Sequence, residues 1–233
     1  MILTLFIMLG LLNLVEITTP LCRRAGILNG TLAAGLQLQS SLSLISRVIN
    51  AFYLPLIGHL SDVNLLSTLG FYSSVFYGFL MISMGFLIIP TEKKILSFYT
   101  RIVGGISKSG SLFILSNPTK LSNFKTKHST NKFKKIKYIT FFGFIPQYLS
   151  WPVVFILLSQ FPENRGLILG VTSVLNGINS LLLIIFIDPY ILKFGTYYNI
   201  SNLLFEDQIK ARLSALLAMA FIFVLISYFT LKF

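Results

Sequence analysis

Long apolar runs, each interrupted by a few polar residues at helical spacing, set the plan of this chain. Hydrophobic length and Gly/Pro punctuation predict helices over 2–19, 30–58, 67–89, 95–115, 138–160, 165–187 and 209–231. Most of these approach or exceed the ~20 apolar residues needed to cross a hydrocarbon core. Strand-like alternation is not visible, so a barrel is not expected. The fold class is therefore all-α: a polytopic integral membrane bundle of six to seven spans, with kinked helices around a polar cationic cavity, in one domain covering 1–233. The count turns on 95–115, "ILSFYTRIVGGISKSGSLFIL", where Arg101, Lys108 and three glycines also suit an interfacial or re-entrant segment. Pro146 and Pro152 predict a kink or break in the helix over 138–160.

The polar interruptions fall on faces. At 100° per residue, Gln39, Ser43, Arg47 and Asn50 make one stripe on the second helix, within about 80° of one another. Ser97, Arg101, Gly105 and Lys108 make another, and Arg165, Thr172, Asn176 and Asn179 a third. An arginine or lysine at the middle of a spanning helix costs about 2.5–3.5 kcal/mol on insertion scales, so such groups face a cavity or a partner. The acids near predicted spans are Glu16, Asp62 and Asp188, fewer than Arg23, Arg24, Arg47, Arg101, Lys108 and Arg165. A shared, net positive interior follows, and it suits an anionic ligand. Plainer roles stand beside this one: snorkelling for Arg165 and Arg101, headgroup anchoring for Arg23 and Arg24, helix-to-helix hydrogen bonding for the asparagines. Glu16 reads as a counter-ion of Arg47, as a protonatable coupling group, or as an interfacial side chain.

Composition agrees with the pattern: 55% of the 233 residues are hydrophobic and 11% charged. The first 19 residues lack the basic start and small-residue cleavage site of a signal peptide and read as a span. The net charge of +12 is concentrated in "KLSNFKTKHSTNKFKKIK", residues 120–137, within a basic loop placed at 116–137. Beside a span, such a run reports cytoplasmic orientation and anionic headgroups, so nucleic acid is not an expected partner. With seven spans, that orientation puts the turn at 20–29 outside and leaves Arg23 and Arg24 on the wrong side for the charge rule.

Catalysis finds no motif. His59 and His128 stand apart with no carboxylate cluster for a metal, Cys22 is the lone cysteine, and no phosphate-cradling or dinucleotide glycine loop is present. An enzyme is not expected, nor a metal or cofactor.

Four segments carry a family resemblance: "VEITTPLCRRAG" (15–26), "SLISRVINAFYLPLIGHLSD" (43–62), "YTRIVGG" (99–105) and "RGLILGVTSVLNGINSLLLIIFIDP" (165–189). In order and spacing they resemble the Amj family of bacterial lipid II flippases, an alternate to the MurJ type. Ile17 departs from the threonine expected after the glutamate, and the region after 190 does not match. The resemblance implies a multi-pass protein of the bacterial plasma membrane. Such a protein moves the undecaprenyl-diphosphate-linked peptidoglycan precursor from the inner to the outer leaflet. Its matching polar positions are Glu16, Arg23, Arg47, Asn50, Asp62, Arg101, Asn176 and Asp188. Combined with the stripes, this gives Arg47, Arg101, Lys108, Arg23, Asn50, Asn176 and Asn179 as substrate-binding candidates, and Glu16, Asp62 and Asp188 as coupling or counter-ion candidates. The expected partners are lipid II, membrane lipids and cell-wall synthesis proteins. Two rivals use the same features: a secondary transporter of a smaller organic anion, and a membrane-embedded lipid-headgroup enzyme.

Overall fold

The computed structural model describes residues 2–63, 65–117, 131–189 and 198–232. It is an all-α bundle: α1 (Ile2–Leu28), α2 (Leu32–Asp62), α3 (Leu65–Ser109), α4 (Asn131–Gln160), α5 (Arg165–Leu182) and α6 (Tyr198–Lys232). α5 runs on into a π-helical stretch, Leu183–Ile187. Each of the six is long and apolar enough to cross a membrane. In hydrocarbon every backbone polar group must be bonded within the protein, and long helices achieve this for nearly all of them. The chain is thus a multi-pass membrane protein.

The expected spans at 67–89 and 95–115 form one helix, α3, which passes Pro90 without breaking. At 45 residues it is about 68 Å long, far more than a hydrocarbon core of about 30 Å. Exposed Lys93 and Lys94 follow the proline, and the last third of the helix, beyond them, packs on the end of α1. There Arg24 pairs with Glu92 at 3.0 Å, and Asn29 Nδ2 donates to the Thr100 carbonyl at 2.9 Å. Of the six to seven crossings expected, the described residues form six. Losing one reverses the parity of everything before it, so the α1–α2 turn lies at the same end as the close of α3 and the start of α4. Ile27 of α1 packs there with Ile136 of α4 and Ile187 after α5. Arg23 and Arg24 consequently share an end with the basic run and no longer oppose the charge rule. Of the basic loop expected at 116–137, residues 118–130 lie outside the described residues.

Helix ends also move. The first helix does not stop at 19 but continues through Pro20 to Leu28. Gly30, at φ +70°, then ends it in a Schellman turn: its N–H bonds the Ile27 carbonyl at 3.0 Å, and the Thr31 N–H bonds that of Gly26 at 2.8 Å. α1 and α2 cross tightly beyond this turn. A Cβ added to Gly35 would sit 2.7 Å from the Cys22 carbonyl oxygen and 2.8 Å from Gly26 Cα. α4 runs unbroken through Pro146 and Pro152, and α6 begins at Tyr198, three turns before the expected 209.

Burial divides the bundle. About half or more of the spanning windows of α1, α4 and α6 is buried (61%, 50% and 56%), against 17% for α2 and α5. Leu9, Tyr77, Phe155 and Leu216 are fully buried in the core where α1, α3, α4 and α6 meet. α2 and α5 present Leu44, Val48, Phe52, Val174, Leu181 and Ile185 outward, as lipid contact requires.

Candidate functional site

Proline inside α1 sets the site's geometry. Pro20 has no N–H, so the carbonyl of Glu16, four residues earlier, loses its helical donor. Arg212 of α6 supplies one: its Nη1 lies 2.6 Å from the Glu16 oxygen. The same guanidinium stacks 4.1 Å above the Phe144 ring of α4. Arg212 is 7% exposed and its Nε has no hydrogen-bond partner. A buried guanidinium thus stands well inside the bundle, joining α1, α4 and α6.

Around it is a polar cavity of two lobes. The central chamber, about 260 Å³, lies between α1, α2, α4, α5 and α6, with Arg47 and Asn50 on α2, Asn176 and Asn179 on α5, and Glu16 on α1. The basal chamber, about 270 Å³, lies towards the α1–α2 turn and holds Arg23, Asp188 and Gln208. Arg212, Gln39, Ser43 and Ser180 belong to both walls, so the chambers adjoin.

The two chambers differ in their bonding. In the basal one Arg23 spans helices: Nε donates to Gln39 Oε1 on α2, and Nη1 meets Asp188 Oδ1 at 2.7 Å. The π-helical stretch delivers Asp188, whose N–H bonds the Leu183 carbonyl five residues back. In the central chamber Asn179 donates to Gln147 Oε1 on α4. Yet the Oδ1 atoms of Asn50, Asn176 and Asn179 are buried without partners, as is Ser46 Oγ. Each such atom costs about 1–3 kcal/mol unless something bonds it. Several of them belong to residues that line one space, which suits a polar occupant.

The stripe on α2 is therefore a wall of this cavity, and Asn176 and Asn179 face it from α5. Thr172 of the same α5 stripe is buried and bonds the Leu169 carbonyl. Glu16, Arg23, Arg47, Asn50 and Asp188 also line the cavity. The stripe on α3 does not join them. Arg101 Nε reaches the Ser116 carbonyl at 3.3 Å, where residues 111–117 double back, and Lys108 is exposed at the close of the helix. The stripe could be read from spacing, but its helix crosses Pro90 and leaves the bundle's middle before Arg101. Asp62 is not in the cavity either; it pairs with Arg165 at the opposite end of the bundle from Arg23.

Sequence reasoning missed Arg212, Gln208, Gln147 and Trp151. Arg212 falls one turn inside the helix start expected at 209, and the expected site residues do not include it. The real start at Tyr198 puts it more than three turns within. The available signal was Pro20, which frees a carbonyl that some donor has to reach.

α2 and α5 face each other across the cavity. Each packs on a core helix, α2 on α1 and α5 on α4, while the two barely touch. At one end Asp62 of α2 meets Arg165 of α5; at the other, Arg23 holds Gln39 and Asp188 together. Between those ends the cavity's side wall is a seam bounded by lipid-facing apolar residues. Compared with family models, curated proteins and solved structures, the chain matches none.

Proposed function

We propose that this protein carries the headgroup of a lipid-linked precursor across the bacterial plasma membrane, and that its substrate is lipid II, taken from the inner to the outer leaflet. The observation that carries this reading is the central chamber: buried amide oxygens without partners, flanked by Arg47 and Arg212, within the spanning part of the bundle. A diphosphate with a peptidyl disaccharide needs cations and many amide or hydroxyl partners at once. The slender contact between α2 and α5 supports lateral entry, because a polyprenyl tail must stay in lipid while its headgroup enters. The charge rule puts the basic end, with Arg23 and the basal chamber, in the cytoplasm. The headgroup would then enter from the basal side and leave past Asp62 and Arg165.

Purified protein in proteoliposomes with fluorescent lipid II tests this. Transport makes inner-leaflet label accessible to a membrane-impermeant quencher, above protein-free vesicles and with unchanged lipid mass. Uptake of small organic anions without lipid II movement favours the small-anion rival, and an altered lipid mass favours the enzyme.

A further inference from the structure

The basal chamber holds more than one wall of a passage. Its described charged and amide groups are Arg23, Arg212, Gln39, Gln208 and Asp188. Two of them are buried donors with nothing to bond: Arg212 Nε, and Gln208 Nε2 on a residue 3% exposed. Both residues lie on α6, one turn apart, and line the same chamber as Arg23, with the two unbonded atoms themselves covered. Asp188, the chamber's one described acid, sits on Arg23 at 2.7 Å and leaves those two donors unserved. Donors in excess of acceptors, around a space of about 270 Å³, make a receptacle for an anion with several oxygens.

The geometry points to the basal chamber as a phosphate or diphosphate site in which the Asp188 carboxylate is the built-in competitor. A diphosphate entering here draws Arg212 Nε and Gln208 Nε2, covered and unbonded in the fold, into contact by a turn of their side chains, and takes Arg23 from Asp188. Displacing Asp188 also undoes a tie. Arg23 joins the end of α5 to α1 and, through Gln39, to α2, so an occupied chamber is one whose seam is unfastened at the basal end. Binding energy is thereby spent on opening. The assignment deepens the proposed function, since it places the headgroup's diphosphate in this chamber, but the site's chemistry does not depend on lipid II.

The full chain in nanodiscs is titrated calorimetrically with inorganic pyrophosphate and, separately, with farnesyl diphosphate. Asp188→Asn removes the competing charge and is expected to bind both about tenfold tighter than wild type. Gln208→Leu removes a donor that has no partner in the fold, so folding is retained while affinity drops several-fold. Arg23→Gln, checked for folding by gel filtration, is expected to abolish binding. Equal or weaker binding by Asp188→Asn, or unchanged binding by Gln208→Leu, overturns the site. Farnesyl diphosphate binding more tightly than pyrophosphate identifies a lipid-borne ligand; equal affinities identify a free anion, and either is consistent with the site when Asp188→Asn is tighter. The lipid II assay is scored apart. Without lipid II transport, tight pyrophosphate binding retains this site and discards the flippase reading.

Discussion

Arg212 on α6 donates to the Glu16 carbonyl that Pro20 on α1 leaves without a helical partner, across 2.6 Å. A helix defect and a buried charge, each costly alone, compensate one another. The pair is therefore expected to be coupled. Pro20→Ala returns an N–H to the carbonyl, so Arg212→Ala should cost about 0.5–1.5 kcal/mol less in the Pro20→Ala background than in wild type. A double-mutant cycle of unfolding in mixed detergent micelles measures it; additive costs refute the coupling.

Asn176 Oδ1 is buried without a partner, so its removal loses no bond of the fold. Asn176→Leu is expected to leave thermal stability unchanged or raised, while lipid II transport falls at least about tenfold through the lost contact. Parallel loss of stability and transport would mark Asn176 as structural.

The close approach of α1 and α2 predicts a sharp contrast between glycines. Gly35→Ala pushes a methyl into backbone atoms that have no room to move, at a cost of about 1–3 kcal/mol. Gly170→Ala meets nothing within 4 Å and should be neutral. Melting temperatures of the two purified variants decide; equal values contradict the packing described.

Asp62 and Arg165 pair while each is about half exposed, at 48% and 49%. Such a pair is worth about 0–1 kcal/mol, so Asp62→Asn should barely alter unfolding. Its place across the seam gives it another consequence. With Cys22 replaced by alanine, a Asp62→Cys, Arg165→Cys double variant joined by a short bismaleimide should lose transport, whereas either single cysteine treated alike should keep it. Undiminished transport in the joined protein means that the seam does not open at that end.

Arg101 touches the Ser116 carbonyl, away from the cavity, and Lys108 is exposed. If the proposed function holds, Arg101→Ala and Lys108→Ala are expected to transport lipid II within about twofold of wild type, because neither lines the cavity proposed as the headgroup's path. A tenfold loss in either variant would bring α3 back into the site.

What could be read in the sequence was local. Apolar length revealed the spans, and the 3.6-residue period revealed the wall of Gln39, Ser43, Arg47 and Asn50, because both depend on one helix at a time. Three things depended on more than one helix. Pro90 looked like a boundary because a proline breaks helices in water, but a span keeps its helix where no solvent competes for the freed carbonyl. That one difference moved Arg101 and Lys108 out of the interior and Arg23 to the basic end. Arg212 was hidden by the polar stretch before it, which masked the helix's true start. The pairing of Arg23 with Asp188 joins residues 165 positions apart, and nothing in either segment's pattern announces the other.

The three-residue turn between α1 and α2 has a consequence for biosynthesis. Residues 29–31 are too few to let one helix settle in the bilayer before the other arrives, and Gly26 already rests on Gly35. The two are expected to enter as a hairpin. Glu16 and Arg47, each an obstacle to insertion as part of a lone segment, are then carried in together, with Arg23 already satisfied by Gln39. The newborn hairpin brings half of the cavity's polar lining with it, and the later helices fold around a surface that was never fully exposed to lipid.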